Sequence, residues 1–339
     1  MFRRWLEALQ ARQDLTGDDA SAAMDEIMSG RATSAQIAGF LLALRAKGER
    51  PAEVVGLARS MRRHAVKLSR KWPNALDTCG TGGDGSGSFN VSSIAALVAA
   101  GAGVKVAKHG NRSVSSRCGS ADLFEALGVA VTSPPHAAEA CLERAGVGFF
   151  FAPTFHPAMR HAAPTRRELG VGTTFNLLGP LTNPAGARRQ LVGVPRPDLT
   201  ELMARALGLL GSERVWVVHG ADGLDEVSTT GHTKVSEYWQ GVVRTFYVHP
   251  IDFGVRKAVV GDLAGGDAGA NADIARAVLD GEHGPRRDVV VLNAGIGLMV
   301  AGHAPTVSDG LALAGAAIDS GAAKAALETM VATSREGVG

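Results

Sequence analysis

The pattern of the chain changes at Lys71-Trp72-Pro73-Asn74, and that change limits the folds open to it. Before it, residues 1–68 read as helices alone. Thr33-Ser34-Ala35-Gln36 has capping-box spacing, and Ile37, Phe40, Leu41 and Leu44 follow at helical intervals. Lys47-Gly48 stops that helix. Pro51 suits the first position of the next, with Val54, Val55, Leu57, Ala58 and Met61 behind it. Arg62, Arg63 and His64 close it where positive charge suits the dipole, and a solvated terminus is expected there. After residue 74, short β-branched runs alternate with Ala-rich helical runs. Segments 104–107, 129–131, 147–151, 214–218 and 289–292 are strand candidates. Such alternation implies an α/β layer structure around a mainly parallel central sheet. The expected architecture is a small all-helical N-terminal domain, residues 1–70, and a large α/β domain, residues 73–169 and 188–339. Residues 166–187 lack strand signals, and helices from about 170–187 are expected to rejoin the first domain. The tail from Thr333 is expected to fray.

With 339 residues the chain can bury a sizeable core, and 45% hydrophobic against 20% charged residues is ordinary for a globular protein. The net charge of +2 argues against a general nucleic-acid surface. Cys79, Cys118 and Cys141 match neither a zinc site nor a disulfide framework, so reduced thiols in a cytoplasmic protein are expected. The N-terminal residues lack the apolar core of a signal peptide, and the longest apolar stretch, 94–102, is too short to span a bilayer.

The segment 80–93 reads Gly-Thr-Gly-Gly-Asp-Gly-Ser-Gly-Ser-Phe-Asn-Val-Ser-Ser, between a strand-like run and an apolar helix. Five glycines in eight residues leave the backbone N–H groups open to a ligand, and a helix start favours an anion. Asp84 within those amides would repel a phosphate unless a cation lay between them. The loop therefore suggests a metal-bound polyphosphate. Gly80-Thr81-Gly82-Gly83-Asp84-Gly85 also matches the dinucleotide fingerprint, but that site wants an acid at the end of the second strand. Lys108-His109-Gly110-Asn111-Arg112 stands there instead, which supports phosphate. No Gly-Lys-Ser/Thr follows the glycines, so the loop is not a Walker motif.

Three further constellations carry chemistry. Residues 108–122 gather three Lys or Arg cations, four serines and two glycines, either a polar surface loop or a phosphate grip. Its place one strand after the glycine loop favours the grip. Residues 217–228 end a strand in glycine and deliver Asp222, Asp225 and Glu226. Oxygen ligands of this kind suit Mg²⁺, general acid–base work is an alternative, and Asp222 alone reads best as an acidic turn. Residues 156–170 place cations and prolines beyond the third strand, where an Arg could receive a small carboxylate. Arg167 and Glu168 could equally belong to a helix face.

In this order the segments resemble the anthranilate phosphoribosyltransferase family of tryptophan biosynthesis. The resemblance is carried by Gly-Thr-Gly-Gly-Asp, Lys-His-Gly-Asn-Arg, Gly-Ser-Ala-Asp, His-Pro-Ala-Met-Arg, Arg-Arg-Glu-Leu-Gly, Phe-Asn-Leu-Leu-Gly-Pro-Leu-Thr-Asn-Pro and Asp-Gly-Leu-Asp-Glu. Residues 265–268 and 292–295 extend it over nearly the whole chain. It implies a helical domain joined to an α/β domain, a fold shared with pyrimidine nucleoside phosphorylases, and a homodimer formed through the helical part. It also implies residue roles. Gly80, Gly83, Asp84, Ser88, Asn90, Val91, Ser92 and Ser93 would hold phosphoribosyl pyrophosphate. Lys108, Arg112, Ser113, Ser115, Ser116 and Ser120 would grip its phosphates. Ser92, Asp225 and Glu226 would bind magnesium. Asn111 and Arg166 would contact anthranilate, with Gly80, His109 and His156 nearby. Lys108 and His109 would be the catalytic pair, Lys108 on the leaving group and His109 the side chain to test for proton removal.

The implied reaction displaces pyrophosphate from the anomeric carbon by a weakly basic aromatic amine. It needs stabilisation of the leaving group more than activation of the nucleophile. A nucleoside phosphorylase would need no metal-bound pyrophosphate, and Ser92 with Asp225 and Glu226 argue against it. A DNA-binding member that has lost catalysis is opposed by the intact motifs and balanced charge. Three positions depart from the family pattern: Ser88 for Thr, Cys118 for Ser, and Gly172 for an Arg near the acceptor.

Overall fold

The computed structural model describes residues 1–113 and 117–336. Four helices open the chain: α1 (Phe2–Gln10), α2 (Gly17–Met28), α3 (Ser34–Lys47) and α4 (Pro51–His64). Helix α3 starts at the expected capping box, with Gln36 N–H donating to Thr33 Oγ1 at 3.2 Å and Thr33 N–H to Gln36 Oε1 at 2.9 Å. Pro51 occupies the first turn of α4. The apolar stripes of all four helices form one buried cluster with Phe175, Leu178 and Leu181, with the helix Leu199–Leu209, and with Val192, Val215 and Val217 of the sheet. Arg63 is exposed as expected of a solvated terminus, but Arg62 is not. Arg62 donates to the carbonyls of Leu181 at 2.7 Å and Leu210 at 3.2 Å, and Arg63 pairs with Asp25 at 2.6 Å. The orphan carbonyls of neighbouring segments recruit Arg62, which fastens α4 to the loop at Leu181 and to the helix ending near Leu210. Arg63 ties α4 to α2.

Seven strands form one sheet in the order β3-β2-β1-β4-β5-β6-β7: β1 Leu76–Gly80, β2 Val106–Gly110, β3 Val147–Phe151, β4 Arg189–Gly193, β5 Arg214–Gly220, β6 Thr233–Trp239 and β7 Val242–Val248. The first five are parallel, and β6 and β7 add an antiparallel hairpin. The α/β expectation therefore holds, with changes in detail. Residues 289–292 are not a strand but part of the helix Pro285–Val300, apolar because it is buried on nearly every side against α5 (Val91–Gly101), the sheet and the helix Val307–Asp319. Residues 129–131 form a turn that buries Val129 and Val131. Strand β2 lies two residues later than expected. The tail does not fray at Thr333: helix Ala322–Arg335 continues, and Ser334 is buried, its Oγ accepting from Ala130 N–H at 3.0 Å. Residues 170–187 supply one short helix, Phe175–Leu178, and otherwise run as loop against the N-terminal helices. Among the described residues no helix is long and apolar enough to cross a membrane.

From β1 the sheet grows one way to β2 and β3, and from β4 the other way to β5. The carboxyl ends of β1 and β4 therefore flank a topological switch point, where sheets of this kind open a ligand crevice. The register of β1 with β4 runs over five residues, but with β2 it is confined to Leu76 and Val106. Above that pair, side chains bridge β1 to β2.

Candidate active site

The glycine loop leaves β1 at Gly80 and reaches α5 through Gly82, Gly83, Gly85 and Gly87, all with φ between 66° and 83°. Side chains rarely adopt that backbone, which is why the glycines recur. The turn after β5 brings Asp225 under the loop at the switch point. A Cβ built on Gly193 would fall 1.6 Å from the Asp225 carbonyl oxygen, and one built on Gly80 would fall 2.5 Å from its Oδ2. Only glycine at both strand ends lets the acid lie between them. Asn293 secures the turn from behind, accepting from Val227 N–H at 3.0 Å and donating to Val227 O at 2.9 Å. Asp222 pins the turn by accepting from Ser228 Oγ at 2.6 Å and from Thr230, as the acidic-turn reading expects.

Glu226 Oε1 accepts from Ser92 N–H at 3.0 Å. The acceptor at the start of α5 is thus the protein's own Glu226 carboxyl group, which uses one of the amides expected to face a phosphate. Buried Lys108 donates to Thr78 O and to Ser92 Oγ, the latter at 3.3 Å. Burial pushes Asp225 up to about 7, with Asp84 adding to it, and Glu226 up to about 8, with Asp225 adding to it. Burial also lowers the Lys108 pKa, opposed first by Asp77. Two adjacent half-buried carboxyl groups therefore face one ammonium, that of Lys108. Hard oxygen donors in that state fit Mg²⁺, which keeps water and takes further oxygens from a phosphate. Among the described residues no three His, Cys, Asp or Glu side chains form a closed metal cage. The pair with Ser92 is a part-set that a substrate would complete.

On the β2 side, His109 N–H donates to Asp77 Oδ1 at 3.3 Å, and the His109 ring meets Gly179 O through Nδ1 at 3.1 Å. A carbonyl only accepts, so Nδ1 carries the proton and Nε2 the lone pair. Burial brings His109 down to about 3 and His156 to about 4. Both rings are neutral near pH 7. Their centroids are 5.1 Å apart, and among the described residues the Nε2 atoms of both are buried without a partner. That pair is an acceptor surface waiting for donors.

The serine-rich loop is built around Asp122. Its Oδ2 accepts from Gly119 N–H at 2.9 Å and Ser113 N–H at 3.1 Å. Arg112 does not face the crevice as a free cation: it pairs with Asp122 at 2.9 Å and Glu125 at 2.7 Å. Ser120 Oγ and Ala121 N–H both donate to Asn111 O, shaping the exposed turn that carries the Asn111 side chain. Ser115 and Ser116 lie outside the described residues. Ser88 joins Ser86 and Asp84 in a chain of hydroxyl bonds. Val91 and Ser93 are buried side chains, so these positions can offer backbone only. Gly83 lies on the exposed side of the loop.

Arg166 lies in the helix Ala163–Leu169, 5.0 Å over the Phe175 ring, and donates to Asn176 Oδ1 at 3.4 Å. Among the described residues it has no carboxylate partner, unlike Arg112. A Cβ on Gly172 would meet nothing within 4 Å, so space is open there. Sequence reasoning missed Asp77, Gly193, Asn271 and Asn293 as site residues. Each is a buried support whose partner comes from a distant segment, and none carries a local signal in the sequence.

Two family models cover the chain: "Glycosyl transferase family, helical bundle domain" over residues 3–65 and "Glycosyl transferase family, a/b domain" over residues 72–324. The anthranilate phosphoribosyltransferase of Moorella thermoacetica is 58% identical over 332 residues, 98% of each chain. The crystal structure of the Thermus thermophilus enzyme of that name is 46% identical, with a TM-score of 0.92, over 98% of this chain and 99% of that one. The Saccharomyces cerevisiae enzyme, solved with PRPP and Mg and with 4-fluoroanthranilate, is 28% identical, with TM-scores of 0.89 and 0.88 over 98% of this chain and 97% of that one. Full-length identity at this level, together with the same fold, means that the chain belongs to the glycosyl transferase family and, within it, to the anthranilate phosphoribosyltransferases.

Proposed function

We infer that the chain transfers the phosphoribosyl group of phosphoribosyl pyrophosphate to the amine of anthranilate, releasing pyrophosphate, in tryptophan biosynthesis. The observation that carries this reading is the placement of Asp225, Glu226, Ser92 and Lys108 at the switch point beneath an open glycine loop. The donor's pyrophosphate lies along loop amides between Gly80 and Ser93, reached by Ser88, Asn90, residues 111–113 and Ser120. Lys108 stabilises the charge that builds on the leaving oxygens, and its fixed direction costs no reorganisation when the bond breaks. Magnesium, named with the yeast relative, would be held by Ser92, Asp225 and Glu226 and would neutralise pyrophosphate as it leaves. Arg166, cationic and free of a carboxylate partner, receives the anthranilate carboxylate beside Asn111.

The histidines refine the expected role of His109. A ring brought down to about 3 keeps only its Nδ1 proton at neutral pH and is a weak base. The Nε2 lone pairs of His109 and His156 instead accept the amine N–H bonds, which aims the nitrogen lone pair at the anomeric carbon. A residue that positions in this way leaves proton release until after the C–N bond has formed.

The same reading includes a cytoplasmic setting, supported by three buried cysteines in the thiol form, and a homodimer through α1–α4, which rests on the family resemblance. It divides the chain into residues 1–70 with about 170–187, and 73–169 with 188–339. The test of the reaction is direct: anthranilate, phosphoribosyl pyrophosphate and Mg²⁺ are mixed with the protein and anthranilate fluorescence is followed. The expected result is loss of fluorescence with one pyrophosphate released per anthranilate. No loss in the presence of Mg²⁺ would refute the reading.

A further inference from the structure

Asn271 is 2% exposed and lies in the first turn of the helix Ala268–Leu279, far in sequence from every residue assigned to the site. Its Oδ1 accepts from Gly266 N–H at 2.7 Å, and its Nδ2 donates to Asn90 Oδ1 at 2.9 Å. Asn90 Nδ2 in turn donates to Cys118 O at 3.1 Å. The relay has backbone groups at both ends, one able only to donate and the other only to accept. Its polarity is therefore fixed, and neither amide can turn over without losing a bond. It ties three segments together: residues 263–267, the glycine loop at Asn90, and the serine-rich loop at Cys118.

Residues 263–267 are themselves strapped along the glycine loop. Phe89 N–H donates to Leu263 O at 3.2 Å, Gly265 N–H donates to Gly87 O at 2.9 Å, and Ser88 pairs with Ala264 as a bridge. A Cβ on Gly265 would fall 2.7 Å from the backbone of Phe89, so the strap lies against the loop only because that position is glycine. Four loop glycines with left-handed φ give the loop little stiffness of its own. Its shape must come from what it leans on.

We propose that Asn271 is a positioning residue for the phosphoribosyl donor, setting the spacing of the two phosphate-side loops through the Asn90 amide. The inference rests on the donor reading of the glycine loop. Asn271→Asp isolates it, because the new carboxylate still accepts from Gly266 but cannot donate to Asn90. Asn90 must then turn its amide toward the carboxylate and face Cys118 O with an oxygen, or keep its bond to Cys118 and face oxygen on the other side. One link of the frame is lost in either case.

The test is steady-state kinetics of wild type, Asn271→Asp, Asn90→Ala and the double variant, with calorimetric titration of phosphoribosyl pyrophosphate in Mg²⁺. A buried hydrogen bond lost in this way corresponds to a loss of about tenfold or more. The expected result is a KM and Kd for the donor raised about tenfold, a KM for anthranilate within about twofold of wild type, and no further loss when Asn271→Asp is added to Asn90→Ala. Asn271→Ser, uncharged and lacking the Nδ2 donor, serves if the first variant does not fold, with the same outcomes. A wild-type donor KM in the variant, or an equal penalty in the Asn90→Ala background, overturns the inference and leaves the donor reading intact. Failure of wild type to bind the donor overturns both.

Discussion

Gly193→Ala probes the acid pair without touching a polar group. The added Cβ would stand 1.6 Å from the Asp225 carbonyl oxygen, where ordinary contact begins at 3.4 Å. The turn must therefore retreat by about 1.8 Å, an order-of-magnitude larger shift than a packed site absorbs freely. Gly193 sits at the end of a central strand paired on both sides, so the strand gives less readily than the turn. A displacement of about 1 Å in catalytic groups costs roughly 100-fold, or about 2.7 kcal/mol of transition-state stabilisation. Gly193→Ala should therefore lower kcat/KM by at least about 100-fold in the anthranilate fluorescence assay and raise the Mg²⁺ concentration needed for half-maximal rate. Overpacking should cost roughly 1–3 kcal/mol of stability, measured by urea unfolding. Gly315→Ala is the control, because a Cβ in the helix Val307–Asp319 meets nothing within 4 Å there. It should keep wild-type turnover and gain up to about 1 kcal/mol of stability. Wild-type kcat/KM and Mg²⁺ dependence in folded Gly193→Ala would refute the placement of Asp225 as the functional centre.

Arg166→Gln should raise the KM for anthranilate about tenfold or more with little change in the donor KM, since it removes a charge-assisted bond; equal rises for both substrates in bisubstrate kinetics would count against that role. Glu226→Gln can still accept from Ser92 N–H, so it should fold normally while needing more Mg²⁺ in a metal titration. His109 and His156 have folded pKa values depressed to about 3 and about 4 from 6.5. Below pH 6.5 the unfolded chain binds more protons, so stability should fall as pH drops, by up to about 1.4 kcal/mol per unit for each ring down to about pH 4. Urea midpoints from pH 7 to 4 check this, and His109→Asn should reduce the slope; an unchanged slope in that variant would contradict the buried neutral state. His109→Ala should lower kcat without introducing a new pH dependence between pH 6 and 8, because positioning rather than proton removal is lost.

The α/β architecture was legible in the sequence because strand and helix periods differ and Pro73 marks the change. Residues 289–292 misled because a continuous apolar run marks full burial, not strand, and here the buried element is a helix. Strand β4 escaped notice since Arg189 and Gln190 open it with polar side chains that find Glu213 and Pro180 O only in the fold. In the site, the glycine loop, Lys108 and the Asp225-Glu226 pair could be read because their chemistry is local. Arg112 looked equally suited to phosphate, yet its partners Asp122 and Glu125 lie on the following helix and claim its charge. Asn271 carries no charge and sits in no glycine run, so its role is visible only through the three segments it joins.

The central claim is that Asp225 and Glu226 bind the donor through a cation. Calorimetric titration of phosphoribosyl pyrophosphate into the protein, in Mg²⁺ and then in excess EDTA, tests it most directly. Binding is expected in Mg²⁺, with a loss of at least about 100-fold in EDTA and with Asp225→Asn/Glu226→Gln binding little better in Mg²⁺ than without it. Equal affinity with and without the metal in the wild-type protein would contradict it.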